Sequence, residues 1–526
     1  MATPLLSLRE GYWEEYELEK EDISFLYDYL LENELPLTSE ELMPILVEQR
    51  IEREKVRLEK KRLNGNDVYL PKDHFEVGTT LVFPAFEWQK GEVISTRVGE
   101  NPAQGQFDVI GVKFEDGVER EFASGIEDHE LNVPLEADQA DSLNPEAVIE
   151  EYRSTLVDQI ELGLVGHEEF VQIAGRWFLK ALLVDVNAGH LNLAEAVLDM
   201  HEGGPLSTAD LVKEVDLPGD VNPHLIEFSL DHALQEDPRF DEVGPAGIVS
   251  WYLKSMEPES VQETPLFLRY VPIEYDPDAL TEEMVSLEAE LDDELTPWKK
   301  EKYPAEAVEV RLIFPHWRAG TLPLSERIMP LFPTAYEAPR IRFTLVDGKT
   351  GERFPGWVVR QERYVSGLED WYERNGLIPG GIVYVKPGKE PGEVIVESRG
   401  SRSTKDWMRT LLVGSDGELV FATLKQIISS SFNPRMAIVV PDVDPVDEVW
   451  EKNQKNPPPF EQAVVDIVRE LTKLNPQGHV HATELYAAVN TVRRCPPGPL
   501  FSLLETRPWF VHVGDQHFRF DDSEAL

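Results

Sequence analysis

The residues with the clearest capacity for chemistry are basic ones around a tryptophan, in the segment SRGSRSTKDWMRTLLV. Four cations recur there every three or four residues beside Trp407, namely Arg399, Arg402, Lys405 and Arg409. If Thr404 caps a helix that begins at Lys405, then Lys405 and Arg409 share a face at i, i+4, and the earlier arginines lie in a Gly/Ser lead-in. Such an arrangement can follow a phosphate backbone, so the pattern predicts nucleic-acid binding. The alternative is that these cations only neutralise neighbouring acidic domains.

Histidine and cysteine are the other residue types that could do chemistry. Four histidines near the C-terminus could be imagined as a metal site: His479, His481, His512 and His517. Their spacing suits strand or loop edges and no acidic cluster is shared with them, so satisfied or exposed histidines and no metal are expected. Cys495 is the single cysteine and lies beside two prolines in a predicted turn. A lone cysteine excludes an internal disulfide and a cysteine-rich zinc site.

Sequence motifs typical of catalysis are lacking. The chain contains no P-loop, no Gly-x-Ser-x-Gly elbow and no His-Glu-x-x-His helix. The acidic pair Asp292-Asp293 lies in a run of charge, where carboxylates are expected to be solvated. The sequence therefore predicts a protein that is not an enzyme and that needs no cofactor.

Length and composition indicate several acidic globular domains. The chain has 526 residues, 41% hydrophobic and 28% charged, which is more than one core can organise. It carries 98 Asp and Glu against 50 Lys and Arg, a formal net charge of −48 that repels phosphate at long range if it is evenly spread. No run approaches the ~20 apolar residues of a membrane helix, and the N-terminus turns acidic where a signal peptide is basic. A cytoplasmic protein without a membrane partner is expected.

The charge is unevenly distributed along the chain. Ten acidic residues and no Lys or Arg lie between Glu274 and Glu294, so residues 257–304 are predicted to be a solvated acidic linker. Residues 340–411 instead hold 13 Lys and Arg against 10 Asp and Glu. That segment is the predicted nucleic-acid face.

Residues 12–63 are predicted to form a helix-turn-helix-like module. Thr38 and Glu41 make a Thr-x-x-Glu capping box that starts a helix at Ser39. The stretch Gln49–Leu63 alternates Glu with Arg and Lys, as an exposed single helix does. A basic arm that touches phosphate is the alternative.

Residues 73–131 change to a period of two, which predicts five short strands. The strand segments are Thr80–Phe83, Gly91–Ile94, Phe107–Ile110, Val112–Phe114 and Glu121–Ala123. Asn101-Pro102 and Asp116-Gly117 are read as turns between them. This pattern resembles the SH3-like barrels of transcription and chromatin factors. Residues 145–200 return to helical periodicity, with the apolar run Phe178–Val186, and are predicted to be a helical connector.

Two segments share one pattern of two helices followed by a hairpin. In 206–253, Ser207 caps a helix, Pro218-Gly219 turns the chain, Leu225–Leu234 forms a second helix, and a hairpin closes at Trp251. Residues 480–521 repeat this order, which indicates an internal duplication. The pattern resembles the winged-helix (HARE-HTH-like) family, found in the acidic delta subunit of bacterial RNA polymerase, in certain restriction enzymes and in chromatin regulators.

The resemblance implies winged-helix domains at 201–256 and 460–521. The first holds three basic and eleven acidic residues, and the second holds six and seven. Only the second is therefore expected to approach DNA, with Arg493 and Arg494 as its candidate contacts.

Residues 305–445 are predicted to form a β-rich domain. Within it, 340–397 has an arginine-bearing strand, then Gly-x-x-x-Trp-Tyr-x-x-Asn-Gly-Leu, then Pro-Gly-Gly and an apolar strand. This order resembles the B3-type pseudobarrel of plant transcription factors and of some restriction-enzyme effector domains. The resemblance implies that Arg360 and Arg363 contact DNA. The alternative is that both arginines pair on the surface with Glu362, Glu369 and Glu373.

Together these observations predict an α+β multidomain protein in which winged helix-turn-helix modules are combined with small β-barrels. The predicted function is that of a non-catalytic regulatory protein that associates with nucleic acid, with DNA favoured. The first alternative is an acidic factor that binds RNA polymerase or a DNA-processing complex and competes with nucleic acid. The second is a nuclease-related enzyme, because some restriction enzymes carry similar accessory modules.

Overall fold

The computed structural model describes most of the chain and divides it into two compact units. The described residues are 11–62, 67–83, 86, 89–100, 107–114, 117–127, 129–132, 144–217, 221–297, 307–414, 417–521 and 523. The predicted turns at Asn101-Pro102 and Pro218-Gly219, and Asp116 of the third turn, lie outside this range. The first unit comprises residues 1–184 and 220–228, and the second comprises 185–219 and 229–526. Helices and several sheets coexist, so the predicted α+β class is confirmed.

The chain begins with helix α1 (Lys20–Asn33), strand β1 (Leu37–Thr38) and helix α2 (Ser39–Arg62). The predicted capping box is present, because the amide N–H of Glu41 donates to Thr38 Oγ1 (3.1 Å) and that of Thr38 donates to Glu41 Oε2 (2.8 Å). The prediction of an exposed helix after Gln49 is wrong at Arg50. This side chain is buried and its guanidinium pairs with the buried carboxylate of Asp22.

A five-stranded sheet follows, with its strands in chain order. They are β2 (Asp67–Val68), β3 (Thr80–Phe83), β4 (Gln89–Val98), β5 (Asp108–Phe114) and β6 (Glu119–Ser124). The two predicted strands at 107–110 and 112–114 are one continuous strand, and the fifth strand lies at β2, before the predicted boundary. Aromatic rings fill the interior, with Tyr69 stacked on Phe83 at 4.9 Å and Phe83 4.5 Å from Phe122.

The predicted connector 145–200 contains a hairpin. Helix α3 (Pro145–Leu164) is as expected, but strands β7 (Phe170–Ile173) and β8 (Arg176–Leu179) follow it. Strand β8 pairs with β1, and the indole N–H of Trp177 donates to Ser39 Oγ at 3.0 Å. An apolar run such as the one beginning at Phe178 does not by its periodicity distinguish a buried strand from a buried helix. The hairpin thus completes a module that the small sheet interrupts.

A second module has the same order of elements. It consists of α4 (Ala188–Met200), β9 (Leu206–Ser207), α5 (Thr208–Glu214), α6 (Pro223–Glu236), β10 (Phe240–Glu242) and β11 (Ser250–Leu253). The predicted cap is confirmed, since Ser207 Oγ accepts from the N–H of Asp210. The indole N–H of Trp251 donates to the buried Asp231 at 2.7 Å.

The central part of the second unit is built on a seven-stranded, nearly closed barrel-like sheet. Short helices α7 (Glu259–Gln262) and α8 (Glu282–Leu291) precede it. Its elements are β12 (Val308–Arg311), α9 (Phe314–Arg318), β13 (Thr321–Pro323), β14 (Arg340–Asp347), β15 (Arg353–Val359), β16 (Tyr364–Ser366), α10 (Glu369–Asn375), β17 (Ile382–Pro387) and β18 (Glu393–Glu397). The spatial order is β12-β17-β18-β14-β15-β16-β13, and among the described pairs of this sheet only β14–β18 is parallel. Burial alternates along β14, as the sequence predicts for a strand.

The predicted helix at Lys405 is instead a strand. Strand β19 (Gly400–Val413) pairs antiparallel with β20 (Leu419–Ser430) over most of its length, and the two make a long two-stranded ribbon. The spacing of the cations resembles helical spacing. However, the ladder to β20 satisfies the backbone groups on one edge of β19, and tertiary pairing of this kind overrides local preference.

The chain ends in a third module of the same design. After α11 (Asp444–Lys455) come α12 (Phe460–Thr472), β21 (Val480–His481), α13 (Ala482–Val489), α14 (Pro497–Thr506), β22 (Phe510–Gly514) and β23 (His517–Phe520). In every module the short first strand pairs with the last one: Leu37 with Trp177, Leu206 with Trp251, and Val480 with Phe518. The predicted duplication is therefore a triplication of helix, strand, helix, helix and hairpin.

In the part of the chain that the structure describes, no helix combines the length and apolar character that crossing a membrane requires.

Candidate nucleic-acid interface

Some of the predicted cations lie on one face of the ribbon. Alternate side chains of a strand share a face, so Lys405, Trp407 and Arg409 are on the same side of β19. In the ladder, Lys405 is opposite Ile427 and Trp407 is opposite Lys425. The sequence alone does not identify Lys425 and Ile427 as residues of the site, because only the register between β19 and β20 places them beside Trp407.

The ribbon's two faces are covered to different extents along its length. Near its base, Met408 and Ile428 are buried beside Ala437, so the face bearing Trp407 is turned to solvent. Further on, Leu411 and Phe421, which are on the same face as Trp407, are buried in the core of the third module. Thr410 on the opposite face is buried too. Both faces are therefore covered at Thr410 and Leu411, and the face bearing Trp407 is open nearer the base.

The exposed residues near the base are unusual for a packed domain. Trp407 is 66% exposed and Ile427 is 59% exposed. The ammonium of Lys425 lies 5.1 Å from the centroid of the Trp407 ring, which is a cation–π contact. Lys405 is exposed on the same face. We call Lys405, Trp407, Lys425 and Ile427 the ribbon patch; an exposed aromatic among cations is typical of a binding surface rather than of packing.

The remaining cations of the SRGSRSTKDWMR segment have other surroundings. The guanidinium of Arg409 pairs with Glu484 (2.9 Å) and donates to the carbonyl of Arg435 (2.9 Å), so its charge is compensated. Arg399 is exposed, and its guanidinium lies 3.8 Å from the centroid of the Tyr384 ring. The backbone of Arg402 belongs to β19, but its side chain lies outside the described part of the structure.

The arginines implied by the pseudobarrel resemblance bind backbone carbonyls. Arg360 donates to the carbonyl oxygens of Ala338 (2.9 Å) and Tyr336 (3.3 Å), and Arg363 donates to that of Glu294 (2.8 Å). Both guanidinium groups are half-buried. These bonds engage Nη1 of each guanidinium with the backbone, so at least part of the donor capacity of both arginines is used within the fold.

The two arginines of the third module differ sharply from each other. Arg493 is half-buried, stacks over Phe460 at 5.4 Å and donates to the carbonyl of Pro458. Arg494 has no exposed side-chain surface and pairs with Asp293 (2.6 Å) and Glu294 (2.7 Å). A phosphate cannot contact Arg494 in this fold. The predicted solvated linker is likewise wrong at Asp293 and Glu294, which are buried.

Asp293, Glu294 and Arg494 belong to a larger buried network. Tyr486 donates its hydroxyl to Asp293 at 2.5 Å, and His316 Nε2 lies 3.1 Å from Glu294 Oε1. Burial would raise the pKa of Glu294, but Arg494 and His316 hold that pKa below its usual range. Burial raises the pKa of Asp293 despite the same arginine. The network compensates its own charges and presents none of them to solvent.

Three of the four C-terminal histidines are close together. The rings of His479 and His517 are 4.7 Å apart, and those of His481 and His517 are 4.9 Å apart. His481 is the N-cap of α13, because its Nδ1 accepts from the N–H of Thr483 at 3.0 Å. His512 is exposed and stacks on Phe518. Among the described residues, no group of three His, Cys, Asp or Glu has the arrangement of a metal site.

The last helix before each hairpin carries little positive charge. Helix α3 has one basic residue, Arg153, and exposes Glu146, Glu150, Glu151 and Asp158. Helices α6 and α14 contain no Lys or Arg, and α14 is buried over most of its length. A helix that enters a DNA groove needs exposed donors and benefits from cations, so these helices are poorly suited to that role.

No protein-family model matches the chain, and neither does any curated protein or solved structure.

Replacing Arg494 with Met should strongly destabilise the third module. The substitution leaves two buried carboxylates without their cation, which costs about 3–5 kcal/mol. Urea unfolding measures this loss of stability, and hydrogen exchange at the backbone amides of α13 and α14 shows that it occurs in the third module. The neighbouring Arg493→Met is the matched control and should cost less than about 1 kcal/mol. Equal effects of the two variants would contradict the burial of the network.

The third module should lose stability on acidification because of His481. Burial, with Arg435 and His517 nearby, lowers the pKa of His481 to about 4, against the opposing influence of Glu484 and Glu290. The unfolded chain binds this proton near pH 6.5, so stability is lost as pH falls from 6.5 toward 4. Between pH 7 and pH 5 the loss is about 2 kcal/mol.

His481→Thr should remove this pH dependence while keeping the cap, since Thr38 caps the corresponding helix of the first module. Unfolding midpoints at pH 7 and pH 5 give the readout. His512→Thr replaces an exposed histidine of the same module and should leave the pH dependence intact. A His481→Thr variant that is still destabilised at pH 5 would assign the effect to another group.

Proposed function

We propose that this protein is a non-catalytic, nucleic-acid-associated regulatory factor that contacts nucleic acid through the ribbon patch. The observation that carries the proposal is the exposed juxtaposition of Trp407 with Lys405 and Lys425. Cations attract phosphate, and an exposed aromatic ring offers a surface on which a base can stack. Arg399, exposed over Tyr384 near the base of the ribbon, extends the positive charge.

The proposal includes the finer architecture that the sequence resemblances imply. We assign the three modules to a winged-helix type. Their support is the order helix, strand, helix, helix and hairpin, with the first strand paired to the last. The five-stranded sheet is assigned as an SH3-like barrel and the seven-stranded sheet as a B3-like pseudobarrel. In this assignment the modules act as scaffold, and the ribbon provides the nucleic-acid contact.

The non-catalytic part of the proposal is supported by the state of the reactive groups. Burial raises the pKa of the Cys495 thiol to about 12, so the thiolate nucleophile is scarce at neutral pH. Asp293, Glu294 and His316 are occupied with Arg494 and with one another inside the core. A substrate has no access to them.

Neutralising the two lysines of the ribbon patch tests the proposal. Lys405→Gln with Lys425→Gln should weaken nucleic-acid binding in an anisotropy titration. The slope of log affinity against log salt should become shallower by about 0.7–0.9 for each phosphate that the variant no longer neutralises. Both lysines are exposed, so folding should be unchanged.

The matched control is Lys349→Gln with Lys389→Gln. These lysines are also exposed, lie in turns of the seven-stranded sheet, and change the net charge equally. They should leave affinity and salt slope nearly unchanged. The proposal fails if the wild-type chain binds neither single- nor double-stranded DNA or RNA at low salt, or if both double variants lose affinity equally.

A second candidate function is an acidic factor that binds RNA polymerase or a DNA-processing complex. The specific observation is helix α3, which presents four exposed carboxylates from one helix. Such a surface repels phosphate and suits a basic groove on a protein.

For this second candidate, Glu150→Gln with Asp158→Asn should weaken recovery of polymerase or DNA-processing subunits in a pull-down from the protein's own cell extract. Recovery should also fall as salt is raised, since exposed charges are screened. Glu282→Gln with Glu448→Gln removes two exposed acids elsewhere and should not reduce recovery. If the wild-type chain recovers none of these subunits, this candidate is discarded.

A further inference from the structure

We infer that the ribbon patch takes single-stranded nucleic acid, with one base stacked on Trp407 and the flanking phosphates on Lys405 and Lys425. The inference rests on the proposed function and names the ligand class of the same site. It also makes Trp407, rather than any arginine, the residue that distinguishes one nucleic-acid form from another.

The first step is the accessibility of the indole. Two-thirds of Trp407 is exposed, while the ammonium of Lys425 lies over its ring at 5.1 Å. A base can therefore stack on the ring face opposite the lysine. Every base has such a face, and base–aromatic stacking tolerates any sequence. Ile427, exposed beside Lys405 in the ladder, gives the sugar or a second base an apolar contact.

The second step concerns charge. Both lysines are neighbours of Trp407 on one face, because Lys425 is opposite it in the ladder and Lys405 is two residues away on the same strand. No ion pair of either lysine with an acidic side chain occurs among the described residues. Arg409 on the same face is compensated by Glu484. The patch therefore offers two available cations, which suits a short stretch of one strand.

The third step concerns a duplex. The major groove can admit a two-stranded β-ribbon. At the patch, however, the ribbon exposes an indole, while Met408 and Ile428 of the opposite face are buried near the base. An exposed indole gains most from a base whose face is free. Bases in a duplex are already stacked, and a side chain reaches their faces only by unstacking a step at a cost.

The fourth step concerns the whole molecule. The formal net charge is −48, so long-range repulsion opposes any nucleic acid. A duplex carries twice the phosphate charge of one strand per unit length and is repelled more strongly. Stacking is uncharged and adds affinity without adding repulsion. A single strand therefore gains the most affinity from stacking on the patch and suffers the least electrostatic repulsion from the acidic chain.

Titrations of the full-length chain with a fluorescent 12-nucleotide oligothymidylate and with a 12-base-pair duplex, at matched low salt, test the inference. The single strand should bind more tightly than the duplex. Trp407→Ala should weaken single-strand binding about 5- to 150-fold, which is the range for removing one base stack, and leave duplex affinity unchanged. Trp407→Phe retains an aromatic ring and should stay within a few-fold of wild type.

A second readout separates stacking from an indirect effect. Oligothymidylate should quench part of the tryptophan fluorescence of the wild-type chain, and this component should be missing in Trp407→Phe. The salt slope should be unchanged in Trp407→Ala, because both lysines still neutralise their phosphates. Circular dichroism of both variants should match wild type, since the side chain is exposed.

The outcomes distinguish the inference from the proposed function. Binding to neither oligonucleotide would overturn both. The ligand class is wrong, and the proposed function stands, in two cases in which the lysine double variant still loses affinity. In the first case the wild-type chain binds the duplex as tightly as the single strand. In the second case Trp407→Ala binds the single strand with normal affinity. Tighter single-strand binding that depends on the ring at 407 supports the inference.

Discussion

The buried pairing of Arg494 with Asp293 and Glu294 is the constraint on which much of the second unit depends. Arg494 follows α13, the two carboxylates follow α8, and His316 of α9 completes the set. A charge inside a protein is tolerated only where its partners are in place, so each of these elements needs the others. The network therefore fixes the acidic segment and α9 against the third module.

The three modules share one local arrangement of a capped helix and a paired strand. In each module a polar N-cap precedes a helix, and the short strand that contains the cap pairs with the last strand of a hairpin. Thr38, Ser207 and His481 are the three caps. The modules diverge in what is added to this frame. The first contains an inserted sheet, and the third packs against the ribbon, which exposes one aromatic and two lysines near its base.

Local features of the fold were predictable from the sequence, and distant pairings were not. The capping box of Thr38 with Glu41 and the cap at Ser207 are encoded within a few residues, and the structure confirms both. The sequence predicts a helix for this part of the ribbon because its cations recur at helical spacing, whereas the strand that it pairs with begins only after a turn. The burial of Arg494 depends on carboxylates some 200 residues earlier in the chain. For the site, Lys405 and its neighbour Trp407 were found from composition, but Lys425 and Ile427 required the register of β20.

The insertion in the first module has a consequence for how the chain emerges during synthesis. Strand β1 cannot form its pairing until β8 has been synthesised, because Trp177, the partner of Leu37, lies about 140 residues downstream. The five-stranded sheet, by contrast, pairs mainly between consecutive strands and has low contact order. At ribosomal rates of about 5–20 residues per second, the roughly 80 residues between α2 and α3 take about 4–16 s to appear. During that interval the five-stranded sheet can fold while the apolar faces of α1 and α2 still lack α3, so the first module is the last part of its unit to close.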